Sequence, residues 1–481
     1  MDTGASIKNA FKWAAISELS VKLITPILNA VLARILLPED YAPLATITML
    51  ISFCEVFVES GFKKYLIQHQ FADAQEEKNA FCVAFWSTVA VSLLIWGIIV
   101  LFCRPISAFL GNPDIWLAVA VSGVILPMYA MMGIFNATIQ KQLAFKKLFF
   151  VRIVTASIPL FITIPLAAAG LKYWSLVIGN ILSTAAQMIA LKIQSKFKVQ
   201  RYYSFSLLKI MFKDTAWTLI DGVVVWLTAW VDSLLINQQM SEYYLGLYRN
   251  SLSTITSLFS MVTAAVTPVL FVGLTKYQND NRDFSTLFIR TQRILAAILI
   301  PAGVGVLLYK EFAVAILFGD TWSEAANIIG INALTLAVRT VYISICSDVY
   351  RAKGAFRVPL YIQIADLCML IPANFIAVQY GFWALVYVRA AMRVVLVIPE
   401  FIILRKYLQM SVGQQLKSQI PVLVSTAAMT VVALFARQFG NSFTHQVASI
   451  ALCMGIYFAV LFLCFPKVRK ELLGFHHTNI G

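Results

Sequence analysis

The chain has 481 residues, of which 60% are hydrophobic and only 13% are charged, and its formal net charge is +15. A soluble domain carries about a quarter charged residues, so this chain has too few polar groups to cover a water-facing surface. The composition therefore excludes a soluble globular protein and predicts an integral membrane protein.

The apolar stretches along the chain have the length of membrane-spanning helices. A helix that crosses a hydrocarbon core of ~30 Å needs roughly 20 residues, and it satisfies all of its own backbone groups. The weak alternating pattern of a membrane β-barrel does not recur. We therefore predict an all-α integral membrane protein with about fourteen transmembrane helices. The predicted spans, numbered helices 1 to 14, are residues 13–36, 42–62, 80–102, 115–135, 151–169, 174–194, 214–238, 245–271, 287–309, 324–349, 358–379, 382–404, 418–436 and 445–465.

The positive charge is distributed unevenly over the two sides of this predicted bundle. Of the 38 lysines and arginines, 27 fall on the side of the N-terminal tail and the even-numbered connections, five fall on the other side and six fall inside spans. This is the positive-inside pattern, which predicts that both termini are cytoplasmic. The net charge therefore indicates membrane topology and no nucleic-acid partner.

Cysteine and histidine spacing predicts no metal site and no cofactor. The seven cysteines fall in or beside apolar segments without a C-x-x-C pair, and the four histidines are scattered. Such cysteines are typically packing residues.

Several segments recur in the same order at an offset near 200–211 residues, although aromatic-rich membrane sequences can produce such matches by chance. The recurring pairs are Ala-Phe-Lys at 144–146 with Ala-Phe-Arg at 355–357, Trp-Ser-Leu-Val at 174–177 with Trp-Ala-Leu-Val at 383–386, and residues 109–112 with 317–320. Six helices per repeat would give both halves one orientation, as in parallel-repeat transporters. We predict an N-terminal lobe of helices 1–6 at residues 1–200, a C-terminal lobe of helices 7–12 at 201–410, and helices 13–14 with a cytoplasmic tail at 411–481.

Four predicted helices carry polar residues along one face. The steps of three and four residues follow the helical period, so each helix presents a single polar face. These faces are Glu18, Lys22, Thr25 and Asn29 in helix 1; Thr48, Ser52, Glu55 and Glu59 in helix 2; Thr218, Asp221, Thr228 and Asp232 in helix 7; and Arg249, Ser253, Thr256, Ser260, Thr263 and Thr267 in helix 8.

The charged members of these faces favour a water-filled central cavity between the two lobes. A charge in the centre of a membrane helix costs about 2.5–3.5 kcal/mol on insertion scales, so such a charge usually has a function. The relevant residues are Lys22, Glu55, Asp221, Asp232 and Arg249. The hydroxyl residues are also explained by hydrogen bonds between packed helices, and Glu18 and Lys22 could simply neutralise each other.

The turn after helix 1 reads LARILLPEDY over residues 32–41. This segment closely resembles one in the polysaccharide transporter family, the Wzx-like flippases of lipid-linked oligosaccharides, although Ala42 stands where that family usually has glycine. The resemblance extends over about residues 5–400. It includes residues 59–62, 67–68, 140–145, 232–236, 245–248 and 319–322.

The resemblance implies a fold, a substrate and partners. The fold is the two-lobed one of the multidrug/oligosaccharidyl-lipid/polysaccharide exporter superfamily. The substrate is an undecaprenyl-diphosphate-linked oligosaccharide repeat unit, moved across the bacterial inner membrane for O-antigen, capsule or exopolysaccharide assembly. The implied partners are this glycan, membrane lipids, and a polysaccharide polymerase and co-polymerase.

A diphosphate cannot cross hydrocarbon without cationic partners, because burying an unpaired charge is prohibitive. We therefore predict that Lys22 and Arg249 contact the diphosphate at different stages, while Asn29, Ser253 and Thr256 suit the sugars. The alternative pairs Lys22 with Glu18, and Arg249 with a carboxylate of helix 7, for stability alone.

Three carboxylates, Glu55, Asp221 and Asp232, are predicted to line the cavity or to couple transport to protons, with Asp221 the preferred coupling residue. An ion pair with a neighbouring helix is the alternative for each aspartate. The competing functions are a multidrug cation antiporter of the same superfamily, and a membrane glycosyltransferase or polymerase. The predicted outward loops are short and contain only isolated candidates for acid–base chemistry, so we predict that the protein is not an enzyme.

Overall fold

The computed structural model describes residue 22 and residues 24–59, 62–277, 280–355, 357–408, 412–440, 442–466 and 468–469. Within these ranges the chain forms helices joined by short turns, and no strand is present. The predicted all-α class is confirmed, and the chain is a multi-pass membrane protein.

We number the helices in chain order. They are α1 (Ile24–Ala33), α2 (Pro38–Glu59), α3 (Phe62–Gln68), α4 (Ala74–Leu101), α5 (Cys103–Phe109), α6 (Trp116–Ser122), α7 (Ile125–Lys141), α8 (Phe145–Ala168), α9 (Tyr173–Ser195), α10 (Phe205–Gln239), α11 (Glu242–Lys276), α12 (Asn281–Leu308), α13 (Lys310–Leu317), α14 (Ala325–Arg339), α15 (Cys346–Ala352), α16 (Val358–Val378), α17 (Phe382–Val395), α18 (Val397–Leu408), α19 (Val412–Ala436) and α20 (Phe443–Cys464). Short 3-10 turns precede α6 and α14, and a π-helical turn follows α14.

Eleven helical segments within the described ranges are long and apolar enough to cross a membrane. They correspond to eleven of the fourteen predicted spans. The other three predicted spans fall on α1, which is described only from Ile24, on the hydroxyl-rich α11, and on the pair α17 and α18. The number fourteen therefore stays a prediction.

The segments that recur in the sequence also share a backbone conformation. Each recurring segment contains, or follows within four residues, a residue with positive φ, which ends one helix and redirects the chain into the next. The three pairs are Gly111 and Gly319 (φ +91° and +86°), Leu143 and Gly354 (+54° and +73°), and Gly170 and Gly381 (+85° and +97°). Glycine favours this region because it has no Cβ, and Leu143 adopts it at some cost. The match in conformation supports the internal repeat.

The described chain forms two compact units. Unit 1 contains residues 1–250 and 374–382, and unit 2 contains residues 251–373 and 383–481. In unit 1, α2, α4, α7 and α9 pack around a shared apolar core. In unit 2, α12 packs against α14 and α19. The boundaries of the lobes at 1–200, 201–410 and 411–481 stay predictions.

Connections predicted to face outward meet at one end of unit 1. Gly246, near the start of α11, lies directly against the Pro38 carbonyl group at the start of α2. Asn237, near the end of α10, donates a hydrogen bond to the Leu110 carbonyl oxygen. Tyr244 stacks on Phe382, with ring centroids 4.4 Å apart. We call this end of unit 1 the outer end.

The outer end carries a group of carboxylates. Burial raises the pKa of Glu242 above its ordinary value of 4.5, and the nearby carboxylates of Asp114 and Glu39 raise it further, whereas a hydrogen bond with the Asn112 side chain lowers it in part. Glu242 lies at the start of α11, outside the candidate spans. Its proton is therefore held more tightly than that of a solvated glutamate.

Connections predicted to be cytoplasmic are held together elsewhere in unit 1. The Lys141 ammonium donates to the carbonyl oxygens of Leu66 (3.0 Å) and His69 (3.3 Å) at the end of α3. Lys147 donates to the Gln194 carbonyl oxygen at 3.2 Å. We call this the basic end. That it faces the cytoplasm stays a prediction based on its lysines and arginines.

Candidate functional site

The described part of the first predicted polar face comprises Lys22, Thr25 and Asn29, and all three side chains are half-buried. Glu18, the proposed partner of Lys22, lies outside the described residues. The exposed apolar side chain of Ile27 lies on a different face of the same helix. The polar face of α1 is therefore distinct from the apolar face expected to contact lipid.

Helices α2 and α10 pack against each other in antiparallel orientation. The Trp226 indole N–H on α10 donates to the Met49 carbonyl oxygen (3.0 Å) and lies 3.1 Å from the Ser52 hydroxyl oxygen on α2. Further along, Gly222 lies so close to Val56 that an added Cβ would be 2.7 Å from the Val56 Cγ1 atom.

This packing brings two of the predicted carboxylates to one level of unit 1. Glu55 directly precedes Val56 on α2, and Asp221 directly precedes Gly222 on α10. Both side chains are half-buried. The sequence placed them on separate polar faces, and the structure brings those positions together.

Asp232 on α10 is completely buried and has hydrogen-bond donors on both of its carboxylate oxygens. The Tyr248 hydroxyl of α11 donates to one oxygen at 2.7 Å. The Ser233 backbone N–H donates to the other at 2.7 Å, and the Ser233 hydroxyl donates at 3.2 Å. A buried carboxylate is stabilised by such donors, so Asp232 joins α10 to α11. Its role as a cavity carboxylate stays a prediction.

Arg249 follows Tyr248 on α11 and is held against α10. Its guanidinium carbon lies 3.6 Å from the centroid of the buried Trp230 ring. Its Nη1 atom lies 3.4 Å from both the Ala229 carbonyl oxygen and the Ser233 hydroxyl oxygen. A cation on an indole face gains about 0.5–2 kcal/mol, depending on desolvation. The Arg249 side chain is therefore positioned before any ligand binds.

The predicted polar face of α11 coincides with its less buried face. Ser253 and Thr256 are exposed, whereas Ser251 and Thr254, on the other side of the helix, are completely buried. The hydroxyl groups of Ser253 and Thr256, which were predicted to contact sugars, are therefore accessible.

Sequence reasoning missed the residues that hold these groups in place. Trp230 and Trp226 lie on the same helix as the predicted Asp221 and Asp232 but were not part of its polar face. Tyr248 lies in the segment 245–248 that resembles the polysaccharide transporter family, but its own contacts were not predicted. A signal was nevertheless available, because aromatic residues beside membrane charges commonly provide cation–π or hydroxyl partners.

Other charged residues inside the predicted spans form contacts within unit 2. The Arg339 guanidinium lies 3.4 Å from the Asp366 carboxylate, and Arg393 donates to the Asn332 amide oxygen. Arg339 and Asp366 therefore form an ion pair that joins α14 to α16.

Within the described ranges, no group of three or more His, Cys, Asp or Glu side chains is placed to hold a metal ion. A cavity of about 240 Å³ lies in unit 2, lined in part by Tyr309, Glu311, Arg437 and His445. It contains none of the predicted site residues.

Comparison with known proteins places the chain among polysaccharide biosynthesis proteins. The family described as "Polysaccharide biosynthesis protein" matches residues 31–327, a stretch that contains Arg249 and all three predicted carboxylates. Teichuronic acid biosynthesis protein TuaB of Bacillus subtilis is 23% identical over 481 residues, which covers 97% of this chain and 97% of TuaB. Succinoglycan biosynthesis transport protein ExoT of Rhizobium meliloti is 21% identical over 330 residues, 68% of this chain and 66% of ExoT.

Two solved structures have a similar fold. The lipid II flippase MurJ in an inward closed conformation superposes with a TM-score of 0.77 at 15% identity, covering 94% of this chain and 99% of MurJ. An inward-facing multidrug resistance MATE transporter of the MOP superfamily gives a TM-score of 0.66 at 11% identity, covering 82% of this chain and 98% of that protein. These identities establish similarity of fold alone.

Proposed function

Because the chain belongs to the polysaccharide biosynthesis protein family, we propose that it moves a lipid-linked oligosaccharide across the bacterial inner membrane. The proposed substrate is an undecaprenyl-diphosphate-linked repeat unit, and the mechanism is alternating access. The protein then acts as a transporter, with no chemical step of its own. The relatives TuaB and ExoT, named for polysaccharide biosynthesis and transport, support this assignment.

The observation that carries the proposal is the placement of Arg249 on the face of Trp230. The guanidinium group has five N–H donors in a fixed plane, which suits it to bind two phosphate oxygens at once. Because Trp230 and Ser233 already restrict the side chain, little rotamer entropy is lost when a diphosphate binds.

The other candidate residues have roles that follow from their chemistry. Lys22 would supply a mobile point charge for the diphosphate at a different stage of transport. Asn29, Ser253 and Thr256 would hydrogen-bond to sugar hydroxyl groups, and the exposure of Ser253 and Thr256 on α11 is consistent with that role.

We propose Glu55 and Asp221, in preference to Asp232, as the residues that couple transport to protons. The first two are half-buried at one level of unit 1, so a proton or a water molecule has access to them. Asp232 is completely buried and engaged by Tyr248, which favours a structural role.

The test is complementation of a strain that lacks the gene. Deletion should abolish the surface polysaccharide and leave lipid-linked repeat units on the cytoplasmic side. Arg249→Gln should lower transport by roughly 10–100-fold at normal membrane abundance, because each charge-assisted hydrogen bond contributes about 1.5–3 kcal/mol. Arg249→Lys should retain more activity than Arg249→Gln.

Arg104 offers a matched control, since its guanidinium carbon also lies over a tryptophan ring, 4.9 Å from the centroid of Trp116. Arg104→Gln should complement fully. Full complementation by Arg249→Gln would show that Arg249 is not a required phosphate contact. Polysaccharide that still reaches the surface after deletion, without a redundant flippase, would refute the flippase function itself.

A second function is favoured by the fold shared with the MATE transporter, namely export of multidrug cations. The assay for it is drug sensitivity of the deletion strain, measured beside its surface polysaccharide. Loss of drug resistance with normal polysaccharide would favour the antiporter.

A further inference from the structure

The segment that joins α9 to α10 lies between two candidate spans. The first span ends at Ser195, and the second begins at Trp217. We call residues 196–213 the basic platform. This segment contains the connection after α9 and the first turns of α10, and all of it belongs to unit 1.

The path of the basic platform is fixed by contacts with α4. The Trp86 indole N–H donates to the Gln200 carbonyl oxygen at 3.0 Å. The Gln200 backbone N–H lies 3.4 Å from the Cys82 sulfur, and the Ser87 hydroxyl donates to the Tyr203 hydroxyl oxygen at 3.3 Å. The platform is therefore a built surface on the scaffold of unit 1.

The first turns of α10 have an inner and an outer face. On the inner face, Met211 is completely buried, and Leu207 and Leu208 pack against the core of unit 1. On the outer face, Phe205 is 74% exposed and Phe212 is 47% exposed. Large exposed apolar side chains on a segment beyond the spans are typical of a surface that contacts a membrane or a protein.

The charge of the basic platform identifies a partner of opposite sign. Its five basic residues are all exposed, and the sequence from 196 to 213 contains no acidic residue. These residues are Lys196, Lys198, Arg201, Lys209 and Lys213. Basic residues interleaved with exposed aromatic rings are typical of a helix that lies in a membrane interface and binds anionic lipid.

We propose that the basic platform binds the headgroups of anionic bilayer phospholipids. Phe205 and Phe212 insert at the boundary between headgroups and acyl chains, and Lys209 and Lys213 contact the phosphates from the same helix. The site is separate from Arg249 and Lys22, and it takes a resident lipid of the bilayer in place of the transported substrate.

The test uses the purified full-length protein in mild detergent, titrated with phosphatidylglycerol or with phosphatidylcholine. Binding is measured from the rise in the apparent unfolding temperature and from the lipid retained in native mass spectrometry. Each lysine near an anionic surface contributes about fivefold in affinity. Lys209→Gln should therefore weaken phosphatidylglycerol binding about fivefold, and Lys209→Gln combined with Lys213→Gln about 30-fold.

Lys172→Gln, in the connection between α8 and α9 at the opposite side of the predicted topology, is the matched control and should change binding less than twofold. Should the double variant not fold, salt tests the wild-type protein directly. At an ionic strength of about 1 M the screening length falls to about 3 Å, so phosphatidylglycerol binding should weaken strongly. Equal binding of the two lipids by the wild-type protein would overturn the proposal. Unchanged phosphatidylglycerol binding by a folded double variant would also overturn it, and would point to a protein partner for this surface.

Discussion

The close approach of α11 to α2 allows a sharp test of the packing in unit 1. Gly246 lies where an added Cβ would meet the Pro38 carbonyl oxygen and would be 2.7 Å from the carbonyl carbon and 3.3 Å from the Ala42 nitrogen. All of these obstacles are backbone atoms, which cannot rotate away as a flexible side chain can. In Gly246→Ala, either α11 or the start of α2 must therefore move.

The required movement can be estimated from the contact to the carbonyl carbon. Raising its distance from 2.7 Å to the ordinary contact limit of 3.4 Å requires a shift of at least about 0.7 Å, and relieving the closer contact with the carbonyl oxygen requires more. Inserting a methyl group into packed structure typically costs about 1–3 kcal/mol. Against this, replacing glycine by alanine inside a helix gains roughly 0.5–1 kcal/mol.

Gly133→Ala isolates the gain from replacing glycine by alanine in a helix, because an added Cβ at Gly133 on α7 meets nothing within 4 Å. The difference in stability between the two variants then reports the packing cost alone. For a unit of about 250 residues, that cost corresponds to an unfolding temperature roughly 2–12 °C lower for Gly246→Ala. The assay is thermal unfolding in detergent, followed by size-exclusion chromatography of the heated samples. A Gly246→Ala protein at least as stable as Gly133→Ala would refute the close approach of the two helices.

Three further predictions concern the carboxylates and their partners. Asp221→Asn should lower transport and change its pH dependence, and a variant with full rate and an unchanged pH profile would reject coupling through Asp221. Tyr248→Phe removes a donor from the buried Asp232 and should cost about 1–3 kcal/mol of stability, measured as a lower unfolding temperature. Because the pKa of Glu242 is raised in the folded protein, its ionised form opposes folding. Stability should therefore decline as the pH rises from 4.5 through the raised pKa, and Glu242→Gln should flatten that decline; equal slopes for the two proteins would contradict it.

The helices and many of the turns could be predicted because they depend on local features of the sequence. Spans follow from the length of apolar runs, so most predicted spans overlap an observed helix. The glycine at 111 and its counterpart at 319 mark turns with positive φ. The turn at Leu143 could not be recognised from its own residue type, because leucine rarely adopts this conformation. Its match with Gly354 was available only through the repeat.

The candidate site was predictable in part. Periodicity identifies which residues share one face of a helix, and it correctly separated the exposed Ser253 from the buried Ser251 on α11. Periodicity does not say what packs against that face. Asp232 therefore looked like a cavity residue from the sequence, whereas its bond to Tyr248 depends on how α10 meets α11. The tryptophan beneath Arg249 was missed for the same reason, since contacts between helices are not encoded in the spacing along one of them.

The contact between positions 38 and 246 also limits which pieces of related chains can be exchanged. The two segments lie about 200 residues apart in the sequence, yet they pack so closely that no further atom fits between them. In a recombinant protein whose crossover falls between these positions, the two halves come from different parents. Ala42 lies beside the same contact, at a position where the polysaccharide transporter family usually has glycine, so a hybrid would have to accommodate this difference. Libraries of hybrids made from this family should therefore yield more folded members when crossovers fall before position 38 or after position 246.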